Sequence, residues 1–237
     1  INSRPFAPGS YTGLRASGEQ AGVDISIALP AVTKVSQIDS VNRFASRYLK
    51  GPVISFGGIH PQASNYKDIL HDIKSMGLKG IKLHPDYQDT YFDDIRYERI
   101  IDRASELGLI TVVHAGADPK CPDDVHCTPQ MARKVIDEVR PENLVLAHMG
   151  GLVMWDEVEK YLVGQDVYFD TGVVLDRMPQ EQFIRMVRSH GADRILFGTD
   201  SPWADQKNFV TILNSMSLTS DEREAIFSGN AMKLLGL

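Results

Sequence analysis

Seven apolar, β-rich runs alternate with helical patterns along this chain, and that alternation constrains its fold more than any other feature. The runs cover residues 23–29, 53–56, 80–84, 110–114, 144–148, 167–170 and 195–198. Between them, Ile69, Leu70, Ile73 and Met76 share one side of a helix, as do Ile100, Ile101, Ala104 and Leu107. Positions i, i+1, i+4 and i+7 form a single stripe at 3.6 residues per turn. Gly77 and Gly108 follow directly, where a helix end favours a residue without Cβ. Thr219 and Glu222 have capping-box spacing before Ile226 and Phe227, which predicts a last helix reaching the C-terminus. Strands alternating with helices connect by right-handed crossovers and so build a parallel sheet. With no linker in sight, residues 1–237 read as one α/β domain, a (β/α)8 TIM-like barrel with its first strand missing. A doubly wound open sheet is the rival, although no glycine-rich phosphate loop opens any helix.

Polar groups close six of the seven runs: His60, His84, His114, His148, Asp170 and Asp200. They are spaced by roughly 30 residues, about one βα unit. In a parallel barrel these ends share one face, where active sites of the fold sit. Alternation predicts which side chains point inward: Lys82 with His84, Ile110 and Val112 with His114, and Leu144 and Leu146 with His148. Imidazoles grouped with a carboxylate suit Zn²⁺ and related divalent ions. A single His at a strand end is more often a hydrogen-bonded structural residue, and that is the expectation for His60 and, by analogy, Asp170. Four such His residues plus Asp200 favour a shared polar site. His71 is expected in solvent, and His190 at a helix C-terminus, favouring its dipole. The segment from Cys121 to Cys127, with His126, fits no structural zinc spacing and reads as a loop over the mouth.

The net charge of −6 argues against nucleic acid or an anionic membrane as a partner. No run approaches the ~18 apolar residues of a membrane span, and two cysteines imply no disulfide framework. These features point to a reduced, cytoplasmic protein acting on a small molecule, with assembly into a homo-oligomer left open.

The segments GIKLHP (80–85), VVHAG (112–116), LAHMGG (146–151), YFDTG (168–172), ILFGTDSPW (195–203) and GNAMKLL (229–235) together resemble the amidohydrolase superfamily, in the branch called amidohydrolase family 2. The resemblance implies a metal-dependent barrel. It makes His114 and Asp200 metal ligands, with Zn the expected ion, and Asp200 and His148 catalytic. Lys82, His84, Tyr87 and Trp203 are expected to bind substrate. The family's first-strand His-x-His pair occurs nowhere in the sequence, and the chain opens at Ile1. We therefore expect an upstream segment of roughly 20–30 residues bearing that strand. Without it a cleft is expected beside residues 195–198, together with weak or absent metal binding. The activity expected first is hydrolysis of an amide, ester or lactone by metal-activated water. Two alternatives stand: metal-dependent decarboxylation of an aromatic or dienoic acid, and a non-catalytic relative.

Overall fold

The computed structural model describes residues 5, 6 and 9–237. Its strands are β1 (Ser26–Ala28), β2 (Val53–Ser55), β3 (Gly57–Gly58), β4 (Gly80–Leu83), β5 (Ile110–Val113), β6 (Leu144–Leu146), β7 (Tyr168–Asp170) and β8 (Ile195–Leu196). Its helices are α1 (Tyr11–Ala21), α2 (Ile38–Ala45), α3 (Tyr66–Ser75), α4 (Ile95–Glu106), α5 (Pro129–Val139), α6 (Trp155–Tyr161), α7 (Gln180–His190), α8 (Gln206–Ser215), α9 (Ser220–Glu224) and α10 (Asn230–Leu235). Every ladder is parallel. β2 pairs with β1 and β3 with β4, and Phe56 sits between the two halves of one crossing, its N–H donating to Ala28 O at 3.0 Å. The eight segments thus occupy the seven strand positions that the sequence predicts.

The array curls around one interior cluster. Phe56, Ile110, Val112, Val145 and Leu235 are buried together, with Ile27, Leu29, Tyr168 and Leu196 packed against them. The first and last strands both reach that cluster, which only a sheet wrapped into a barrel allows. Gly80 makes room for the filling, because a Cβ there would come within 2.5 Å of the Phe56 ring. The larger core lies outside the strands, between sheet and helices. Among the described residues no ladder joins β1 to β8. The free N–H of Phe197 is met instead by Ile226 O at 2.9 Å, from the π-helical turn Ala225–Gly229 that links α9 to α10. A π turn shifts its carbonyls out of the α ladder, which frees one to bond sideways. Asn230 seals the same corner, donating from Nδ2 to Ala192 O and Ile195 O, each at 2.7 Å.

Two expectations are corrected. The inward face of β6 is Val145, not Leu144 and Leu146. Val145 stands in register with Val112 and Tyr168, which share its face, whereas the two leucines pack outward with the helices. His190 is not a charged dipole partner. Its ring is buried, takes the Gly164 N–H on Nδ1 at 3.1 Å, meets Val167 O from Nε2 at 2.8 Å, and stacks on Phe169. Burial holds it below the ordinary histidine range, so it is neutral. His71 is exposed as expected.

Candidate metal centre at the barrel mouth

The carboxyl ends of β4, β5 and β6 bring His84, His114 and His148 together. The rings of His84 and His114 stack at 4.1 Å, and His84 stacks on Tyr87 at 3.7 Å. His148 Nε2 lies 3.0 Å from His114 Nδ1. His148 reaches this position through its backbone rather than through strand alternation. Its φ is 61° and that of Met149 is 54°, a left-handed turn costly for residues with Cβ. Asp170 holds the turn, Oδ1 accepting from His148 N at 3.0 Å and Gly172 N at 2.9 Å. The expected structural role of Asp170 therefore has a mechanism.

Donor accounting fixes the tautomers of His148 and His114. Gly172 O can only accept, so His148 Nδ1 must donate to it at 2.8 Å, and neutral His148 then points a lone pair from Nε2 at His114. On the far side of His114, Nε2 faces Asp86 Oδ2 and Asp118 Oδ2, each at 3.8 Å. A neutral His114 that donates from Nδ1 to His148 turns the lone pair of Nε2 toward these carboxylates, which lie beyond hydrogen-bond distance. A second proton or a metal cation at Nε2 would answer them. Burial, reinforced by His148, His84 and Lys82, holds His114 well below the ordinary histidine range, which disfavours the proton. His84 is pushed down to about 2 by burial and by Lys82 and His148. With both rings neutral, the 3.8 Å contacts to Asp118 are not ion pairs. His84, His114 and Asp118 offer donor atoms within 4.8 Å of one another, a grouping that can hold a divalent ion. His84 Nδ1, His114 Nε2 and Asp86 Oδ2 are buried with no hydrogen-bond partner.

Lys82 lies below the rings. It pairs in register with Val112 of the interior cluster and is 8% exposed. Burial pulls its ammonium below the ordinary lysine range, and Asp170 and Asp200 oppose that pull. No carboxylate stands within ion-pair distance of it among the described residues. Asp200 lies across the mouth. Its Cβ and His148 Nδ1 are equally close to the position a side chain on Gly172 would occupy, 3.3 Å each. Trp203 follows in the next turn, N–H to Asp200 O at 2.8 Å, and is exposed, its ring outside the His84–Tyr87 stack. His60 stands apart beside a cavity of about 430 Å³ lined also by Gln62 and Tyr87, its Nδ1 accepting from Gln62 N.

The sequence reading missed Asp86, Asp118 and the placement of His126. Asp118 follows His114 by four residues and Asp86 follows His84 by two, the only sequence signal they carry. The loop from Cys121 to Cys127 brings His126 back to Asp86, while Cys127 is buried in the main core, out of reach of any metal.

The chain matches the amidohydrolase family over residues 1–237. It belongs to that family. No curated protein matches it in a sequence comparison. Its fold is similar to that of 2,6-dihydroxybenzoate decarboxylase from Rhizobium, at 17% identity over 96% of this chain and 88% of that one, with a TM-score of 0.76. It is also similar to 5-carboxyvanillate decarboxylase from Novosphingobium aromaticivorans, solved with manganese and 4-hydroxy-3-methoxy-5-nitrobenzoic acid (15% identity, 94% and 79% covered, TM-score 0.77). An uncharacterized TIM-barrel protein from Bordetella bronchiseptica aligns over 99% of this chain and 86% of its own, at 20% identity and a TM-score of 0.76. These likenesses establish the TIM-barrel architecture. They also correct the expectation of hydrolysis: where these similar structures carry a named activity, it is decarboxylation. No helix among the described residues is long and apolar enough to cross a membrane.

Proposed function

We propose that this amidohydrolase-family chain is a metal-dependent decarboxylase of a planar aromatic or dienoic acid. The observation that carries the reading is Lys82, a cation buried at the base of the mouth beneath a flat stack of rings, with no carboxylate paired to it. A buried ammonium left without a counter-ion is costly unless a ligand supplies the negative charge. A planar acid supplies it and lies flat against the His84–Tyr87 stack. The similar decarboxylases act on such acids, which supports the same substrate class.

The reaction breaks the bond between the ring or diene carbon and its carboxylate. Carbon dioxide leaves, the bonding pair stays on carbon, and that carbon takes a proton. Asp200 is the donor we assign, since it faces the mouth from the end of β8 and can be reprotonated from solvent. Lys82 neutralises the acid or an adjacent phenolate. Tyr87 and His84 hold the plane, Trp203 covers its open side, and His148, fixed by Gly172 O, holds His114 through Nε2. The divalent ion would be held by His114, with Asp200 the carboxylate ligand. When bound, such an ion polarises the substrate's oxygen atoms. Imidazole and carboxylate donors accept zinc and manganese alike, and manganese accompanies the 5-carboxyvanillate relative.

The spacing of His84, His114 and Asp118 favours a second placement of the ion, on the Nε2 side of His114. Metal titration of Asp200→Asn and Asp118→Asn separates the two. The first reading expects Asp200→Asn to lose affinity and Asp118→Asn to keep it, and the reverse result moves the ion. The substrate class is tested with Lys82→Met. Binding of 2,6-dihydroxybenzoate, followed by calorimetry, should weaken by at least about tenfold, the loss of one charge-assisted contact. Unchanged binding would remove the basis of the reading.

A further inference from the structure

We infer that Gln88 is the positioning residue of the His84–Tyr87 stack, holding the backbone of His84 at both its N–H and its carbonyl. The inference rests on the reading that this stack receives a planar acid. Gln88 is 1% exposed, and its side-chain amide makes four hydrogen bonds. Oε1 accepts from His84 N at 3.1 Å and from the Tyr97 hydroxyl at 2.8 Å. Nε2 donates to Val32 O at 2.8 Å and to Ile59 O at 2.7 Å. The reversed amide would set its oxygen against two carbonyls and its NH₂ against the His84 N–H, so the orientation is fixed.

The four partners come from four parts of the fold. Val32 lies in the loop after β1, Ile59 directly follows β3, His84 directly follows β4, and Tyr97 is on α4. β3 and β4 are paired strands, so the amide spans their ends at the point where the ladder stops. The backbone of Gln88 returns to the same residue, its N–H donating to His84 O at 3.0 Å, as does the N–H of Tyr87. With both polar backbone groups of His84 held by Gln88, the direction in which the imidazole leaves the chain is set. Tyr87 immediately precedes Gln88 in this turn, and its ring meets that of His84 at 3.7 Å with the planes 9° apart. An apolar side chain of similar shape would fill the space and make none of the four bonds, leaving the His84 N–H and the Val32 and Ile59 carbonyls without this partner. A binding surface stays aligned only while such supporting bonds hold it. Gln88 touches no reacting atom and acts through His84 and Tyr87.

The test is Gln88→Met in the intact protein. The His84 ring lies between the rings of Tyr87 and His114, whose ring currents shift its protons upfield. Carbon–proton correlation spectra should show that shift in the unmodified protein and its loss in Gln88→Met. Calorimetry with 2,6-dihydroxybenzoate should find the dissociation constant raised about tenfold. Tyr97→Phe removes one donor from Oε1 and leaves the other three bonds, so the shift and the dissociation constant should stay near their starting values. A purely structural Gln88 would lower the melting temperature of Gln88→Met and leave the shift in place, and that result overturns the inference. So does Tyr97→Phe that relaxes the shift as fully as Gln88→Met, because the core and not the hold on His84 would then be responsible. If Gln88→Met does not fold, the unmodified protein carries the test. Its two Nε2 protons, each on a carbonyl, should exchange slowly with solvent, and exchange at the rate of an exposed glutamine overturns the inference. If the shift is lost in Gln88→Met and binding is unchanged, Gln88 positions the stack, and the failure lies in the reading that the stack receives the acid.

Discussion

Asp200 carries the heaviest chemical assignment of any single residue. It lies four residues beyond β8 with a φ of 58°, a left-handed conformation that an aspartate tolerates better than most residues. Asp200→Asn keeps size and shape while removing both the proton donor and the anionic ligand. Turnover should fall by at least about a hundredfold, the scale of a lost general acid, while thermal unfolding changes little. Near-normal turnover would remove Asp200 from the mechanism. His190 gives a different single-residue prediction, on stability. Its folded value lies below the ordinary 6.5, so on acidification the unfolded chain takes up the proton first. The stabilisation from a neutral His190 is complete above about pH 6.5 and falls as pH drops below it, by up to about 1.4 kcal/mol per pH unit. His190→Gln keeps one donor and one acceptor without the charge. Urea unfolding of that variant should depend less on pH between 6.5 and 5, and an unchanged slope would mean that His190 is not the titrating group.

At the scale of elements, the strand ends were the most legible part of the sequence. Counting βα units places His84, His114, His148 and Asp200 at one mouth, and all three rings do meet there. Alternation was a sound guide on β4 and β5 because both strands are regular to their ends. It failed on β6, where the strand stops at Leu146 and a left-handed turn, held by Asp170, aims His148. Hydrophobic periodicity carries no trace of such a turn. Asp86, Asp118 and His126 were illegible for a related reason: they lie on loops, and their roles depend on how loops fold back. The element least expected is the π turn before α10. It explains why GNAMKLL belongs with the barrel: Asn230 satisfies two carbonyls next to β8, and the turn satisfies Phe197. Asn230→Ala removes both side-chain bonds, leaving Ala192 O only the N–H of Ile195, and should cost about 1–3 kcal/mol. Asp94, the N-cap of α4 bonded to Arg96 N at 2.9 Å, should cost about 1 kcal/mol as Asp94→Ala. Denaturant midpoints of the two variants give the comparison, and an equal or reversed order would contradict the role given to the π turn.

For the whole molecule, the barrel is what makes distant residues into one site. Its interior below the mouth is filled by Phe56, Ile110, Val112, Val145 and Leu235, so a ligand is confined to the rim, where Lys82, the three rings and Asp200 stand. The architecture fits both hydrolysis and decarboxylation, because a fold alone does not choose a reaction. The choice made here rests on the buried lysine beneath a flat stack, and carbon dioxide release tests it most directly. The intact protein, loaded with Mn²⁺ or Zn²⁺, is incubated with carboxyl-¹³C-labelled hydroxybenzoates beside a panel of esters, lactones and amides. The account predicts labelled carbon dioxide from at least one planar acid, lost on chelation of the metal and in Asp200→Asn. Cleavage of an ester, lactone or amide with no carbon dioxide from any planar acid would contradict it.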